Sequence, residues 1–388
     1  MSLTAQSERA TNASRASPRS VYVHVPFCRH RCGYCNFTLI ANRDDLIGRY
    51  LDALRREFAG LPKCSTVDTI FVGGGTPTHL SRLQSEELLK LIAEYFALSA
   101  GGEYSFEANP HDVTEEKAAL LADYGVTRLS LGAQSFDPEK LRLLERDHDA
   151  RQIKEATRLA ARYFHSYSLD LIFGAPHESL KAWSDDLRKA IELQPTHVST
   201  YGLTIEKGTQ FWNQVTKGKL TEVEEDQSAE MYELAIDRLT EAGFEHYEVS
   251  NFAAPNQRCR HNEAYWTGKA FYGLGAGATS FIDGRRATNH RSTSTYIKRV
   301  LAGESPVAEQ ERLPPENAAR ERLVFGLRRL QGINLAEFGR DTGYTVWELA
   351  GAEIKNFIAA GFLEENGQSL RLTRRGLLIS DSLWPALL

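Results

Sequence analysis

The sequence predicts an α/β fold: an open, partial barrel of six strand–helix units, (β/α)6, followed by an α+β tail of winged-helix-like outline. Three observations carry this reading. Six short β-rich runs alternate with helix-period stretches between residues 21 and 205, the pattern of βαβ units and a parallel sheet. Glycines and polar residues collect where those runs end, the side on which barrel folds place their function. From about residue 313 the alternation stops, and helices lead into a hairpin at Asn366-Gly367.

The units follow in order. Residues 21–25 form the first strand, then a cysteine-bearing loop and a helix over 44–58. A second strand over 67–72 ends in Gly73-Gly74-Gly75 and precedes a helix over 81–96. The third, 103–107, is stopped by Asn109-Pro110 and followed by a helix over 114–124. Strands over 127–131, 168–173 and 197–205 complete the six, too few for a closed eight-fold barrel. Residues 221–242 read as an amphipathic helix with Glu222, Glu224, Glu225 and Asp226 at its start, where the dipole favours acids. Further strands are expected over 244–252 and 272–282. The tail predicts helices over 316–330, 334–339 and 345–360, then a hairpin over 363–372. The expected organisation is a disordered tail over 1–19, a barrel core over 20–205, a barrel extension over 206–312 and the winged-helix-like unit over 313–388.

Composition narrows the class. The 388 residues are 42% hydrophobic and 25% charged, with a net charge of −5, so bulk electrostatics points away from nucleic acid. Arg371, Arg374 and Arg375 sit on the hairpin region, but Glu348, Glu353, Glu364 and Glu365 are interspersed and no basic stripe forms. An accessory docking module is the expectation for that unit. No stretch approaches the roughly 18 apolar residues of a membrane span. The five cysteines are an odd number with three bunched, which fits a reducing cytoplasm and a metal site better than a disulfide framework.

Cys28, Cys32 and Cys35 stand in a Cx3Cx2C spacing directly after the first strand. Three thiolates suit an iron–sulfur cluster but are one short of the four that usually hold a [4Fe–4S] cube. The missing ligand leaves one iron open, and an open metal position is where chemistry occurs. The alternative is three structural cysteines. The Gly73–Gly75 run, with Thr76 and Pro77 after it, lets backbone approach a charged ligand closely, although a tight turn explains it as well.

By these motifs, the chain resembles the radical S-adenosylmethionine (SAM) superfamily. More narrowly, it resembles the group of oxygen-independent coproporphyrinogen III oxidase and the HemW-type haem chaperones. The resemblance runs from about Tyr22 to the C-terminus. It rests on the cysteine and glycine motifs, Phe106-Glu-Ala-Asn-Pro110, Ser130-Leu-Gly-Ala-Gln-Ser-Phe136, Asp170-Leu-Ile-Phe-Gly174, Tyr247-Glu-Val-Ser-Asn-Phe252 and His261-Asn-Glu-Ala-Tyr-Trp266. It implies a [4Fe–4S] cluster on Cys28, Cys32 and Cys35, with SAM on the open iron. There an electron can cleave SAM to methionine and a 5′-deoxyadenosyl radical. By position, Tyr22, Gly74 and Glu107 would contact that SAM. Gly75, Thr76, Gln134, Arg146 and Asp170 match positions lining a second SAM site in the oxidase. A satisfied strand-end role for Gln134 and Asp170, or an exposed helix position for Arg146, stands beside that reading.

Two features separate the subgroups. The oxidase has a further cysteine two residues after the third, where this chain has Phe37, as the chaperone-like relatives typically do. Its N-terminal region also reads as short for an oxidase. His261, Asn262, Tyr265 and Trp266 form the HNxxYW segment associated with haem binding in those relatives. An imidazole can ligate haem iron and the aromatics can lie on a porphyrin, with Cys259 a weaker candidate thiolate. The other reading is a polar turn seating two aromatics in the core. The resemblance therefore implies a cytoplasmic haem chaperone that hands haem, its cargo, to recipient haem proteins such as respiratory enzymes. An electron donor would serve the cluster, and a homodimer is compatible with such a carrier. The alternative is the oxidase itself, which decarboxylates coproporphyrinogen III to protoporphyrinogen IX by a radical route.

Overall fold

The computed structural model describes residues 17–388. Six parallel strands form its centre: β1 (Ser20–Val25), β2 (Ser65–Gly74), β3 (Phe96–Ala108), β4 (Arg128–Gln134), β5 (Ser166–Phe173) and β6 (His197–Gly202). They lie side by side in chain order, each parallel to the next. Helices such as Ile47–Phe58, Arg82–Tyr95, Ala150–Tyr163 and Leu180–Glu192 make the connections. Val21, Val23, Val67, Val72, Leu129, Leu131, Leu169 and Leu171 are all buried, as a parallel sheet covered by helices requires. Helix starts are set locally: Ser81 and Asp149 each close a capping box with the glutamine three residues on.

Antiparallel hairpins extend both edges of the sheet. Beyond β6 lie β7 (Glu245–Glu248) and β8 (Asn251–Ala253); beside β1 lie β9 (Phe271–Leu274), β10 (Thr279–Ile282), β11 (Arg285–Asn289) and β12 (Val307–Arg312). The full order is β12-β11-β10-β9-β1-β2-β3-β4-β5-β6-β8-β7. The runs 244–252 and 272–282, each expected as one strand, are thus folded hairpins. Polar β11 and β12 carry no apolar alternation to betray them. The segment around His261, read as a polar turn, is a helix, Arg260–Trp266.

The tail has helices Pro315–Leu327, Leu335–Thr342 and Val346–Ala359, then a hairpin of Leu363–Glu365 and Ser369–Leu372. Leu323, Leu327, Ile354 and Leu370 form its separate core. The hairpin arginines are engaged: Arg371 bonds Glu364, Arg374 bonds Asp237, and Arg375 lies over Phe362. The tail expected over 1–19 falls mainly outside the described residues, but Arg19 already belongs to the fold, pairing with Asp68 at 2.7 Å. No helix among the described residues is long and apolar enough to cross a membrane.

Candidate functional site

At the C-terminal ends of the parallel strands lies a cavity of about 680 Å³. Its lining includes Cys28, Cys32, Cys35, Gly74, Gly75, Thr76, Glu107, Gln134, Arg146 and Asp170. The parallel topology explains the meeting: each comes from a strand end or from the loop that follows. Gly74 has φ +115°, and a Cβ there would lie 2.3 Å from the His24 ring, so only glycine fits. At Gly75 a Cβ would sit 2.7 Å from the Phe27 carbonyl oxygen. The amides of this run serve the protein itself. Gly74 N donates to Glu107 Oε2 (2.9 Å), Gly75 N to Val25 O (2.9 Å) and Thr76 N to Phe27 O (2.8 Å). The glycines therefore let strand ends close on one another, while Gly74, Gly75 and Thr76 remain part of the cavity wall.

Charge in the cavity is arranged around half-buried groups. Burial pushes the Glu107 carboxyl up to about 7, with the nearby Asp170 charge adding to the effect. Asp170 is likewise raised by burial, and it accepts from Ser130 Oγ (2.8 Å) and Ser168 Oγ (3.0 Å). Gln134 adopts φ +64°, a left-handed conformation that costs a non-glycine residue about 1 kcal/mol or more. Arg146 is half-buried and lies between the helices Pro138–Leu143 and Ala150–Tyr163, so it does not hold the exposed helix position. Its Nη1 reaches Cys32 Sγ at 3.7 Å, its Nη2 donates to Gly132 O at 3.1 Å, and its Nε has no partner. Cys28 Sγ lies 3.3 Å from Thr76 Oγ1, and burial pushes the Cys28 thiol up to about 12.

Tyr22 is not among the cavity-lining residues. Its hydroxyl donates to His24 Nδ1 at 2.9 Å, while His24 Nε2 donates to Thr38 O at 2.7 Å. The HNxxYW helix lies further away still, at the opposite end of the strands. His261 Nδ1 is 2.9 Å from Thr69 Oγ1, and Thr69 lies five residues before Gly74 on β2, about 16 Å along the strand. His261 Nε2 is 2.9 Å from the Tyr265 hydroxyl, and the ring lies against Phe71. Burial pushes this imidazole down to about 3, so it is neutral. Tyr265 stands edge-on to Phe271, and Trp266 lies under the Arg328 guanidinium with its Nε1 unpartnered. Asn262, half-buried, is on the same helix. The segment thus buries His261 and leaves Asn262, Tyr265 and Trp266 half-exposed. Cys259 is buried, its thiol pushed up beyond the ordinary range.

The chain matches the Radical SAM superfamily over residues 22–190 and the HemN C-terminal domain over residues 313–379. It is 33% identical to the heme chaperone HemW of Bacillus subtilis over 95% of this chain and 99% of that one. Identity to the protein of the same name from Mycobacterium tuberculosis is 38%, over 96% and 95% of the two chains. For Escherichia coli it is 34%, over 94% and 97%. The chain belongs to the radical SAM superfamily and, within it, to the HemW family. The solved structure of Escherichia coli coproporphyrinogen III oxidase (HemN), a radical SAM enzyme, superposes with a TM-score of 0.83 at 23% identity, covering 100% of this chain and 93% of that one. That likeness concerns the fold.

A radical SAM protein implies a [4Fe–4S] cluster and SAM, and the cavity fits both. Among the described residues no three His, Cys, Asp or Glu side chains close on a single ion. A cube asks less convergence, because each cysteine binds a different iron. Cluster and thiolates are anionic, and Arg146, half-buried, offers beside Cys32 a guanidinium whose buried Nε is unpartnered and which forms no carboxylate salt bridge among the described residues. Glu107 and Asp170 are half-buried acids on the cavity wall, suited to the ammonium and hydroxyl groups of SAM. Sequence reasoning missed Glu103. Its carboxylate accepts from Arg260 N (3.0 Å), His261 N (3.2 Å) and Cys259 Sγ (3.5 Å), holding the HNxxYW helix under the barrel. A buried acid in the strand before Ser105 was the available signal.

Proposed function

We propose that this protein binds haem and passes it to recipient haem proteins in the cytoplasm, with a [4Fe–4S] cluster on Cys28, Cys32 and Cys35 and SAM in the cavity beside it. The observation that supports it most is identity of 33% to 38%, over nearly the full length, with proteins named heme chaperone HemW. Phe37, at the position where the oxidase pattern has a further cysteine, agrees. When bound, the cluster and SAM supply one-electron reductive chemistry. The chain's own residues hold and orient them: three thiolates as ligands, Arg146 as counter-charge, and Glu107 and Asp170 as hydrogen-bond acceptors.

Titration of the anaerobically reconstituted holoprotein with haem tests the reading. A shifted, saturable Soret band is expected. No binding above nonspecific levels, or conversion of coproporphyrinogen III to protoporphyrinogen IX with SAM and a reductant, overturns it. The haem seat needs its own test, because His261 already uses both ring nitrogens. Ligation by His261 requires the Arg260–Trp266 helix to open. Thr69→Val, which frees one nitrogen, then raises haem uptake, and His261→Ala abolishes it. If the helix only floors the barrel, both variants lose stability and leave the Soret band as in the wild type.

A further inference from the structure

Between residues 20 and 43 the chain carries Arg29, Arg31 and Arg43 and no aspartate or glutamate, in a protein of net charge −5. Arg43 is compensated by Asp45, and Arg29 lies 3.5 Å from Asp112 and 3.7 Å from Asp147. Arg31 and Arg291 differ. Both are exposed, and among the described residues neither forms a salt bridge with a carboxylate. Their N–H groups grip the loop that follows the last cysteine. Arg31 donates to Cys35 O (3.3 Å) and Leu39 O (2.7 Å); Arg291 donates to Thr38 Oγ1 (3.2 Å) and Asn36 O (3.2 Å).

Phe37 stands in that clamped loop, 69% exposed. A phenylalanine held outward beside two uncompensated arginines has the composition of an interface hot spot, where aromatics and arginine dominate. Its position is telling. Phe37 is two residues from Cys35, so their Cα atoms are at most about 7 Å apart, and Cys35 is the least buried of the three cluster thiols. Phe37 and Arg291 also line the cavity, and among its described lining residues Glu206 is the exposed acid.

We propose that Phe37, Arg31 and Arg291 form the docking surface for an acidic one-electron carrier protein, which reduces the three-cysteine centre through the Cys35 edge. The inference rests on the cluster reading of Cys28, Cys32 and Cys35 and is independent of haem delivery. One electron leaves the carrier, oxidised by one equivalent, and the centre is reduced by one; no bond forms or breaks. A positive patch on a negative protein steers an acidic partner to this face, and local complementarity outweighs bulk charge within a Debye length of about 8 Å.

Holoprotein titrated with labelled oxidised flavodoxin, an acidic flavin carrier, tests this without any turnover. Binding is expected to weaken about tenfold from low to physiological salt, about tenfold in Arg291→Glu and about fivefold in Phe37→Ser. Stopped-flow reduction by the reduced carrier follows the same order, whereas the cationic methyl viologen radical reduces each variant at least as fast as the wild type. Phe37→Ser keeps the test readable should Arg291→Glu disturb the loop, since the phenyl ring makes no hydrogen bond. Carrier binding unchanged in both variants overturns the inference. So does loss of haem uptake with carrier binding intact, which makes the patch a porphyrin seat. If haem delivery fails while carrier binding follows the expected order, the haem reading falls and the docking surface stands.

Discussion

The two ends of the same parallel strands use the same residue types to opposite ends. At the C-terminal end, Glu107, Gln134, Arg146 and Asp170 surround an open cavity, and the Arg146 Nε lacks any partner. At the other end Glu103 is saturated by the donors of one short helix, and both nitrogens of His261 are spoken for. Polar groups left without protein partners await a ligand, whereas polar groups that satisfy one another hold an architecture. A motif alone does not say which it is. Cx3Cx2C and HNxxYW are equally visible in the sequence; the first lines the cavity, while the second has both His261 nitrogens engaged and leaves the Trp266 Nε1 unpartnered.

Breaking the upper end gives the largest expected effect. Cys28→Ala, Cys32→Ala or Cys35→Ala should each reduce bound iron and sulfide to near background after anaerobic reconstitution, because two thiolates do not hold a cube. The fold should survive, since its core lies in the valine and leucine layers of the sheet; circular dichroism alongside iron analysis checks both. A variant retaining full cluster content would remove the distinction between the two ends.

Next in size is the pH dependence of SAM binding. The Glu107 carboxyl, raised to about 7 by burial, is largely protonated at pH 6 and ionised at pH 8. An ammonium-bearing ligand prefers the carboxylate, so affinity should rise with pH, about tenfold across this interval, with proton release at the lower end. Equilibrium binding of SAM to holoprotein at several pH values measures it. Glu107→Gln should flatten the profile and weaken binding at pH 8. A flat wild-type profile would remove Glu107 from the amino-group contact.

How much of this contrast could be read beforehand follows from physics. The six strands and their order were legible because buried parallel strands are nearly continuous apolar runs, as in Val21–Val25 and Leu169–Phe173. The cysteines and strand-end polar residues were legible because parallel topology brings strand ends together. The floor was not. The seven-residue Arg260–Trp266 helix starts without a side-chain cap of its own, and Glu103, 157 positions away from Arg260, substitutes for one. Likewise, β11 and β12 pair through exposed polar residues, with Arg286 joined to Glu311 and Glu321, leaving no hydrophobic period to detect.

The floor should show itself in stability instead of ligand binding. Glu103→Ala leaves the Arg260 and His261 N–H groups, the Cys259 thiol and the Ser105 hydroxyl without their acceptor, and should cost about 2–3 kcal/mol in urea unfolding. Acid should act at both ends of the strands. Burial lowers His24, His148 and His246 to about 4 and His261 to about 3. The unfolded chain binds protons below about pH 6.5 that these folded groups refuse. Stability is therefore complete above that pH and falls as pH drops toward 4, by up to about 1.4 kcal/mol per unit for each histidine. His261→Gln should reduce the slope by one histidine's share.

The smallest effect probes the thread joining the two ends. Cys259 N donates to the Tyr247 hydroxyl (3.2 Å), which lies 2.9 Å from His197 Nε2; His197 Nδ1 lies 2.9 Å from Ser168 Oγ, which donates to Asp170 (3.0 Å). The neutral His197, held so by burial, can accept at Nε2 and donate at Nδ1, so every donor in the chain points toward the cavity carboxylate. Tyr247→Phe removes one link and leaves Cys259 N and His197 Nε2 unpartnered, costing about 1–2 kcal/mol of stability. If the ends are separate devices, SAM affinity shifts by less than about threefold, because Asp170 keeps Ser130 and Ser168. A larger loss of affinity, with stability lowered only as expected, would mean that the floor sets the acceptor strength of Asp170 and that the two regions work as one.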